Sequence, residues 1–227
     1  MIVEPAMMNC GVILPEPGYL QGLADLCHDF GAYLAFDEVK TGATLAYGGA
    51  VEAFGVVPDI VCLAKAIGGG TPCGAIGATD ELFRLVVDGE YDMAGTFNGN
   101  PLTMAAMRAT LTEVLTKDAY GTLNRLDAYL KERLSAVIER YRLPAHVTGG
   151  GAKGSVIYST TPVREYRDSL AIDERITYLA WLFQQNGGVF KAPWSKQETW
   201  TLSVRHSDED AQRYVDNFEV FARAVTS

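Results

Sequence analysis

Two charged residues, Asp37 and Lys65, each follow a short apolar run of the sequence. Asp37 comes directly after residues 32–36, and Lys65 comes directly after residues 60–64. Such short, almost wholly apolar runs are typical of parallel strands that are covered on both faces, and open α/β sheets bind ligands at the carboxyl ends of these strands. We therefore expect a carboxylate and an amine to be delivered together to one crevice.

The types of these two residues indicate a particular chemistry. Burial at the end of an apolar strand would lower the pKa of Lys65, leaving more neutral amine to react with a carbonyl group. A carboxylate such as Asp37, placed beside a pyridine nitrogen, keeps that nitrogen protonated, so that the ring withdraws electrons from a bound substrate. The pair suits pyridoxal 5'-phosphate, which a lysine anchors as a Schiff base.

Each feature also has an ordinary structural interpretation. The stem of Lys65 could pack on the sheet while its ammonium reaches water, and Asp37 could form a turn or cap a helix. The glycines from Gly68 to Gly70 could let the backbone approach a ligand or provide a mobile connection. Thr96 and several amides precede a helix start near Pro101, which favours either phosphate binding or simple helix capping.

Composition and charge argue against several classes of protein. The chain has 227 residues, is 48% hydrophobic and carries a net charge of -9 without a dense basic run, so neither nucleic acid nor an anionic membrane is an expected partner. No apolar stretch approaches the roughly 20 residues that cross a bilayer. The four cysteines lack C-x-x-C spacing, so we expect neither a metal site nor disulfides. These features predict a cytoplasmic protein.

Hydrophobic periodicity predicts alternating strands and helices over the first half of the chain and a mixed pattern after it. The predicted helices are 19–30, 80–87, 101–115, 118–141, 172–185 and 208–224. The predicted strands are 32–36, 60–64, 73–78, 145–148, 155–159, 189–191 and 199–204. This order favours a mostly parallel α/β sheet followed by a small α+β domain.

Six ordered motifs together resemble the class III pyridoxal-phosphate-dependent aminotransferases, and among them the glutamate-1-semialdehyde 2,1-aminomutase-like proteins. The match spans nearly the whole chain, and six motifs in order are far more specific than any one of them. The motifs are Glu4-Pro5 with Asn9-Cys10-Gly11, Phe36 to Gly42, Pro58 to Ile60, Lys65 to Gly70, Pro72 to Ala75 and Gly95 to Pro101.

This resemblance implies a homodimeric fold type I enzyme that moves an amino group between small amines and carbonyl compounds, as a transaminase or an aminomutase. It implies that Lys65 forms the Schiff base, Asp37 pairs with the pyridine nitrogen and Val39 packs on the ring. It further implies that Thr96 binds the cofactor phosphate of the neighbouring subunit and that Glu198 lies near the substrate.

The resemblance also bears on domains and completeness. It implies that residues 1–116 form the C-terminal part of the cofactor-binding large domain and residues 117–227 the small α+β domain. Relatives carry a further N-terminal half, and Met1 to Pro5 look like the end of a buried strand, so we expect an incomplete large domain. The alternative is a truncated, non-catalytic remnant that cannot complete the cofactor pocket.

Overall fold

The structure is a computed structural model that describes residues 1–192 and 196–227, except for the side chain of Glu198. The chain forms two compact units. The first contains Met1–Ala6 and Pro15–Lys117, and the second contains Met7–Leu14 and Asp118–Ser227. The assignment of a cofactor-binding domain to 1–116 and a small domain to 117–227 stays a prediction.

The first unit is built on a four-stranded sheet in the order β1-β2-β3-β4. The strands β1, β2 and β3 are parallel, and β4 runs antiparallel to β3. Helix α1 connects β1 to β2, which makes a βαβ unit. The strands are β1 (Ile2–Val3), β2 (Ala35–Asp37), β3 (Ile60–Ala64) and β4 (Gly74–Ala78).

Four helices accompany this sheet, and the starts of two of them follow capping rules. They are α1 (Tyr19–Asp29), α2 (Gly49–Phe54), α3 (Asp80–Val87) and α4 (Pro101–Ala109), the last running into a π-helical turn at Thr110–Val114. The Asn100 side chain accepts a hydrogen bond from the Thr103 N–H (2.9 Å), and Pro101 occupies the first helical position. Thr79 caps α3 in the same way through the Leu82 N–H. The short helix α2 was not predicted, because six residues are too few to show helical periodicity.

The second unit contains an antiparallel three-stranded sheet in the order β5-β6-β7. Its strands are β5 (His146–Gly150), β6 (Lys153–Ile157) and β7 (Glu198–Thr201), and its helices are α5 (Lys117–Tyr141), α6 (Tyr166–Ser169), α7 (Glu174–Asn186) and α8 (Asp208–Thr226). Leucines of α5 pack with Trp200, Phe218 and Phe221 in the core of this unit. This is the α+β arrangement that the sequence predicts.

The predicted strand at 189–191 is wrong. Residues Val189 to Lys191 form no strand, and the Val189 N–H instead donates to the Gln184 carbonyl (2.9 Å) at the end of α7. The bond satisfies a helix C-terminal carbonyl, with Gly188 in the left-handed conformation at φ +79°. Val189 and Phe190 are residue types common in strands, but here they follow the end of α7, and Val189 bonds to that helix.

Several large apolar side chains of the first unit are exposed to solvent. Val87 is 81% exposed, Phe97 is 79% exposed and Leu102 is 76% exposed. Helix α3 buries none of its residues. Among the described helices, none is both long and apolar enough to cross a membrane.

Candidate active site

Asp37 is the last residue of β2, at the carboxyl edge of the parallel part of the sheet. It is the register partner of Cys62 in β3, and the ladder continues one bond further because the Glu38 N–H donates to the Cys62 carbonyl (2.9 Å). The half-buried Asp37 side chain accepts a hydrogen bond through Oδ1 from the Val39 N–H (3.1 Å). This is an Asx turn, and it leaves Oδ2 without a hydrogen-bond donor among the described residues.

Lys65 directly follows β3 and begins a single 3₁₀ turn, Lys65–Gly68. Its φ is +53°, a left-handed conformation that costs a residue other than glycine about 1 kcal/mol and that occurs often at functional sites. The side chain is exposed, and its ammonium has no hydrogen-bond or ion-pair partner in the part of the chain that the structure describes. The loss of solvation expected for this lysine is therefore not provided by the chain alone.

Gly68 and Gly69, the first two glycines of the run after Lys65, are closely packed. Gly69 has φ +58°, and a Cβ at that position would overlap the Thr110 Oγ1 of the π-helical turn. A Cβ at Gly68 would lie 2.6 Å from the Cys73 Sγ, and the Thr71 hydroxyl donates to the Gly68 carbonyl (2.7 Å). This packing argues against a mobile connection. The backbone at Gly69 comes close to the helical turn at Thr110. The turn that carries Lys65 is thereby anchored.

Asp37 ends β2, and Lys65 directly follows the adjacent parallel strand β3 at the same edge of the sheet. Lys65 lies three positions after Cys62, the register partner of Asp37. Neighbouring strands are about 4.8 Å apart and rise roughly 3.3 Å per residue, so the Cα of Lys65 is offset by about 10 Å along the strand direction. The two residues therefore lie at different levels along the strand direction at this edge of the sheet.

Glu38, next to Asp37, is a buried carboxyl group with no role predicted from the sequence. It is only 3% exposed, and its Oε2 accepts hydrogen bonds from the Thr41 hydroxyl (3.0 Å) and the Ala50 N–H (2.7 Å). Burial raises the pKa of Glu38, although these hydrogen bonds and one from Val51 act in the opposite direction. No sequence signal distinguishes it from the exposed glutamates, since its burial depends on a helix that periodicity does not reveal.

The other three predicted site residues are Val39, Thr96 and Glu198, and the described side chains among them show fewer contacts that bear on a ligand. Val39 is half-buried beside Asp37, and Thr96 lies exposed in the turn before α4, with its hydroxyl making no hydrogen bond to any described residue. The turn is held by the Asn98 N–H, which donates to the Gly95 carbonyl (3.0 Å). Glu198 begins β7 opposite Val156, but its side chain lies outside the described residues.

Two cavities lie apart from Asp37 and Lys65. One of about 340 Å³ in the second unit is lined by Lys153, Arg213 and Tyr214 among others, and one of about 450 Å³ in the first unit lies beside Pro17 and Phe54. Within the described ranges, no cluster of three or more His, Cys, Asp or Glu side chains could hold a metal ion. The candidate site is therefore defined by strand ends rather than by either cavity.

Comparison with known proteins places this arrangement in a family. Residues 1–178 match the family model Aminotransferase class-III, which is more than half of the chain. The chain belongs to the class-III aminotransferase family. The family predicted from the six motifs is thereby confirmed.

Individual relatives support the same assignment. The chain is 39% identical over 225 residues to a glutamate-1-semialdehyde 2,1-aminomutase of Geobacillus thermodenitrificans, covering 98% of this chain and 52% of the relative. A solved β-phenylalanine aminotransferase from Variovorax paradoxus is similar with a TM-score of 0.91 and 33% identity, over 98% of this chain and 51% of that one. A glutamate-1-semialdehyde aminomutase from Pseudomonas aeruginosa, solved in complex with PMP, has a TM-score of 0.87 and 28% identity, over 97% of this chain and 51% of that one.

The similar structures and sequences also show the fold of this chain and its length relative to the matching proteins. The predicted fold class is confirmed: the chain is α/β, with part of a mostly parallel fold type I sheet and a small α+β unit. The chain spans about half the length of the curated relatives it matches.

Proposed function

We propose that this chain is part of a pyridoxal-5'-phosphate-dependent enzyme that transfers an amino group between a small amine and a carbonyl compound, as a transaminase or a 2,1-aminomutase. The observation that carries the proposal is the placement of Asp37 and Lys65 at the carboxyl ends of two adjacent parallel strands. Aminotransferases and aminomutases of similar sequence support the reaction class.

The residues present fit the cofactor. Lys65 offers an amine with no partner among the described residues, and Asp37 offers Oδ2 while Oδ1 is held by Val39. An amine and a carboxylate at one sheet edge are the donor set that this cofactor requires, and the bound cofactor would supply the electron sink. On this proposal, Lys65 and Asp37 are the two polar anchors of the ring.

Each predicted site residue has a role in this proposal. The Nζ of Lys65 would hold the cofactor and, once displaced by the substrate amine, would take a proton from the substrate carbon and return it. Asp37 would keep the pyridine nitrogen protonated, and Val39 would pack on the ring. In a homodimer Thr96 would bind the phosphate of the neighbouring subunit, and Glu198 would lie near the substrate.

The second candidate is a chain that does not catalyse the reaction. The exposure of Lys65 favours it, because the side chain of this lysine stays in water and is not enclosed as an anchoring amine in a closed pocket would be. In this case the motifs persist but no closed pocket forms. The two candidates differ in whether a cofactor is retained at Lys65.

The test is reductive trapping of the cofactor. The chain alone, and the chain co-expressed with the N-terminal half of the Geobacillus thermodenitrificans relative, are incubated with pyridoxal phosphate, reduced with borohydride and mapped by peptide mass spectrometry. We expect the label on Lys65, its loss in Lys65→Ala and its retention in Lys117→Ala, an exposed control lysine.

The two preparations separate the candidates. Labelling of Lys65 only in the complemented protein would support the cofactor site while leaving the chain alone inactive. An absence of Lys65 labelling in both preparations would contradict the proposed enzyme.

A further inference from the structure

Glu38 is a buried carboxyl group that has no role in the proposed reaction. It is 3% exposed and lies between Asp37 and Val39, yet the reaction assigns it no contact with cofactor or substrate. A buried carboxyl group is unfavourable unless its oxygens are hydrogen-bonded. Its presence in this turn therefore needs a structural or functional reason.

The contacts of Glu38 join three segments of the first unit. Its N–H donates to the Cys62 carbonyl of β3 (2.9 Å), and its carbonyl accepts from the Gly42 N–H (3.0 Å). Its Oε2 accepts from the Thr41 hydroxyl and from the Ala50 N–H in the first turn of α2. One residue thus ties β3, the turn after β2 and the start of α2 together.

The packing around Glu38 leaves little room for rearrangement. A Cβ at Gly49, whose φ is +64°, would lie 2.7 Å from the Glu38 Oε2. A Cβ at Gly42 would lie 2.8 Å from the Glu38 carbonyl oxygen. Thr41 is fully buried. The turn that starts at Asp37 is therefore held from both of its ends.

We propose that Glu38 is the positioning residue for Asp37: by tying the turn to α2, it holds the Asp37 carboxylate and the Val39 side chain at the sheet edge where the pyridine ring would sit. This inference rests on the proposed function, because it gives Asp37 the ring nitrogen as its partner. The Glu38 carboxyl group bonds to Thr41 and Ala50, whereas the Asp37 carboxylate bonds to the Val39 N–H, so the two carboxyl groups do not share a partner.

The hydrogen bonds to Thr41 and Ala50 carry this role. Burial raises the pKa of Glu38, which favours the neutral carboxyl group. Glutamine has nearly the same shape and keeps a carbonyl oxygen that can accept from Thr41 and Ala50. Glu38→Gln should therefore preserve the position of the Asp37 carboxylate. Glu38→Ala removes both hydrogen bonds and should let the Asp37 carboxylate move.

The first experiment needs no cofactor. Amide hydrogen exchange is measured by NMR on the chain, with Val39 reporting the orientation of Asp37 through its bond to Oδ1 and Ala50 reporting the tie itself. We expect Glu38→Ala to accelerate exchange at both amides by about tenfold, as loss of a buried hydrogen bond predicts. Glu38→Gln should change the exchange rates of these two amides by less than about threefold.

Glu52, on the same helix α2 as Ala50, provides a matched control for the loss of a glutamate hydrogen bond. The exposed Glu52 accepts a hydrogen bond through Oε2 from the Gly48 N–H (2.6 Å), so Glu52→Ala loosens the start of α2 without touching the buried tie. Val39 exchange should stay unchanged in this variant. If Glu38→Ala accelerated Ala50 but left Val39 at the wild-type rate, the coupling to Asp37 would be disproved.

The second experiment measures cofactor affinity in whichever preparation retains it. We expect Glu38→Ala to weaken binding about tenfold when Asp37 is present but less than about threefold on an Asp37→Asn background, since both changes act through one contact. Independent, additive losses would overturn the inference. If the wild-type protein bound no cofactor, the proposed function would fail, and the exchange experiment would still decide whether Glu38 positions Asp37.

Discussion

Asp37 and Cys62 are register partners on neighbouring parallel strands, and the chain leaves β3 only two residues after Cys62. Lys65 is therefore the first residue beyond the strand that neighbours Asp37. Its left-handed φ of +53° turns the backbone immediately into the 3₁₀ turn. A one-residue shift of this register would place the two side chains differently, because side chains alternate between the faces of a strand.

The left-handed conformation of Lys65 predicts an unusual order of stabilities. Lys65→Gly should be more stable than Lys65→Ala by about 1 kcal/mol, because glycine adopts φ +53° without strain. Urea unfolding measures the difference. Arg84, exposed in the middle of α3, is the control, since there glycine should be less stable than alanine by about the same amount. Equal stabilities at position 65 would contradict the strain.

Gly69 should tolerate a side chain worse than its neighbour Gly70. Both have positive φ, but a Cβ at Gly69 would overlap Thr110, whereas a Cβ at Gly70 would meet open space. We expect Gly69→Ala to lower the free energy of unfolding by about 2 kcal/mol or more, and Gly70→Ala by about 1 kcal/mol.

Thr110→Ala supplies the second half of this test. It should reduce the penalty of Gly69→Ala, because removal of the hydroxyl relieves the overlap, and it should leave the penalty of Gly70→Ala unchanged. Denaturant unfolding of the single and double variants measures the coupling. A Gly69 penalty that Thr110→Ala does not alter would show that the overlap is not its cause.

Asp59 should make stability depend on acid pH. Burial alone would raise its pKa, but hydrogen bonds from the Leu34 N–H (2.7 Å) and from His28 outweigh burial and lower the pKa of Asp59. The stabilisation is present above the unfolded pKa of about 3.9 and is lost as pH falls through the lower folded value. Asp59→Asn should lower the free energy of unfolding by about 1 kcal/mol at pH 7 and by less near pH 3.

The control for this pH dependence is Asp29, an exposed aspartate at the end of α1. Asp29→Asn should not remove the acid dependence that Asp59 contributes. Stability is measured by urea unfolding across the pH range. A difference between wild type and Asp59→Asn that grew on acidification would have the wrong sign for this explanation.

Gly154 should be intolerant of any side chain. It faces Trp200 across β6 and β7, and a Cβ there would overlap the indole ring, which is packed edge-on against Tyr214 at 6.1 Å between centroids. Gly154→Ala should destabilise the second unit by about 3 kcal/mol, as overpacking of a core does. Near-ultraviolet circular dichroism and urea unfolding measure the change, with Gly121→Ala as a control in open space on α5. A Gly154→Ala variant as stable as wild type would refute the close packing.

Local patterns sufficed for most elements of the fold. The apolar run 60–64 coincides with β3, and the Asn100-Pro101 pair marks the start of α4. The short helix α2 was missed, and 189–191 was wrongly predicted as a strand because it ends a helix. Short elements carry little periodicity, so their state depends on which hydrogen bonds the neighbouring chain supplies.

The sequence by itself determined the family, the α/β class and the candidates Asp37 and Lys65, because motif order and strand-end positions are local properties. Only the tertiary structure decided that Asp37 is the register partner of Cys62, that Gly69 packs against Thr110 and that Glu38 is buried under α2. These facts join residues that are between 12 and 41 positions apart along the chain. Strand register and helix docking arise from the burial of apolar surface over the whole unit, which no short segment encodes.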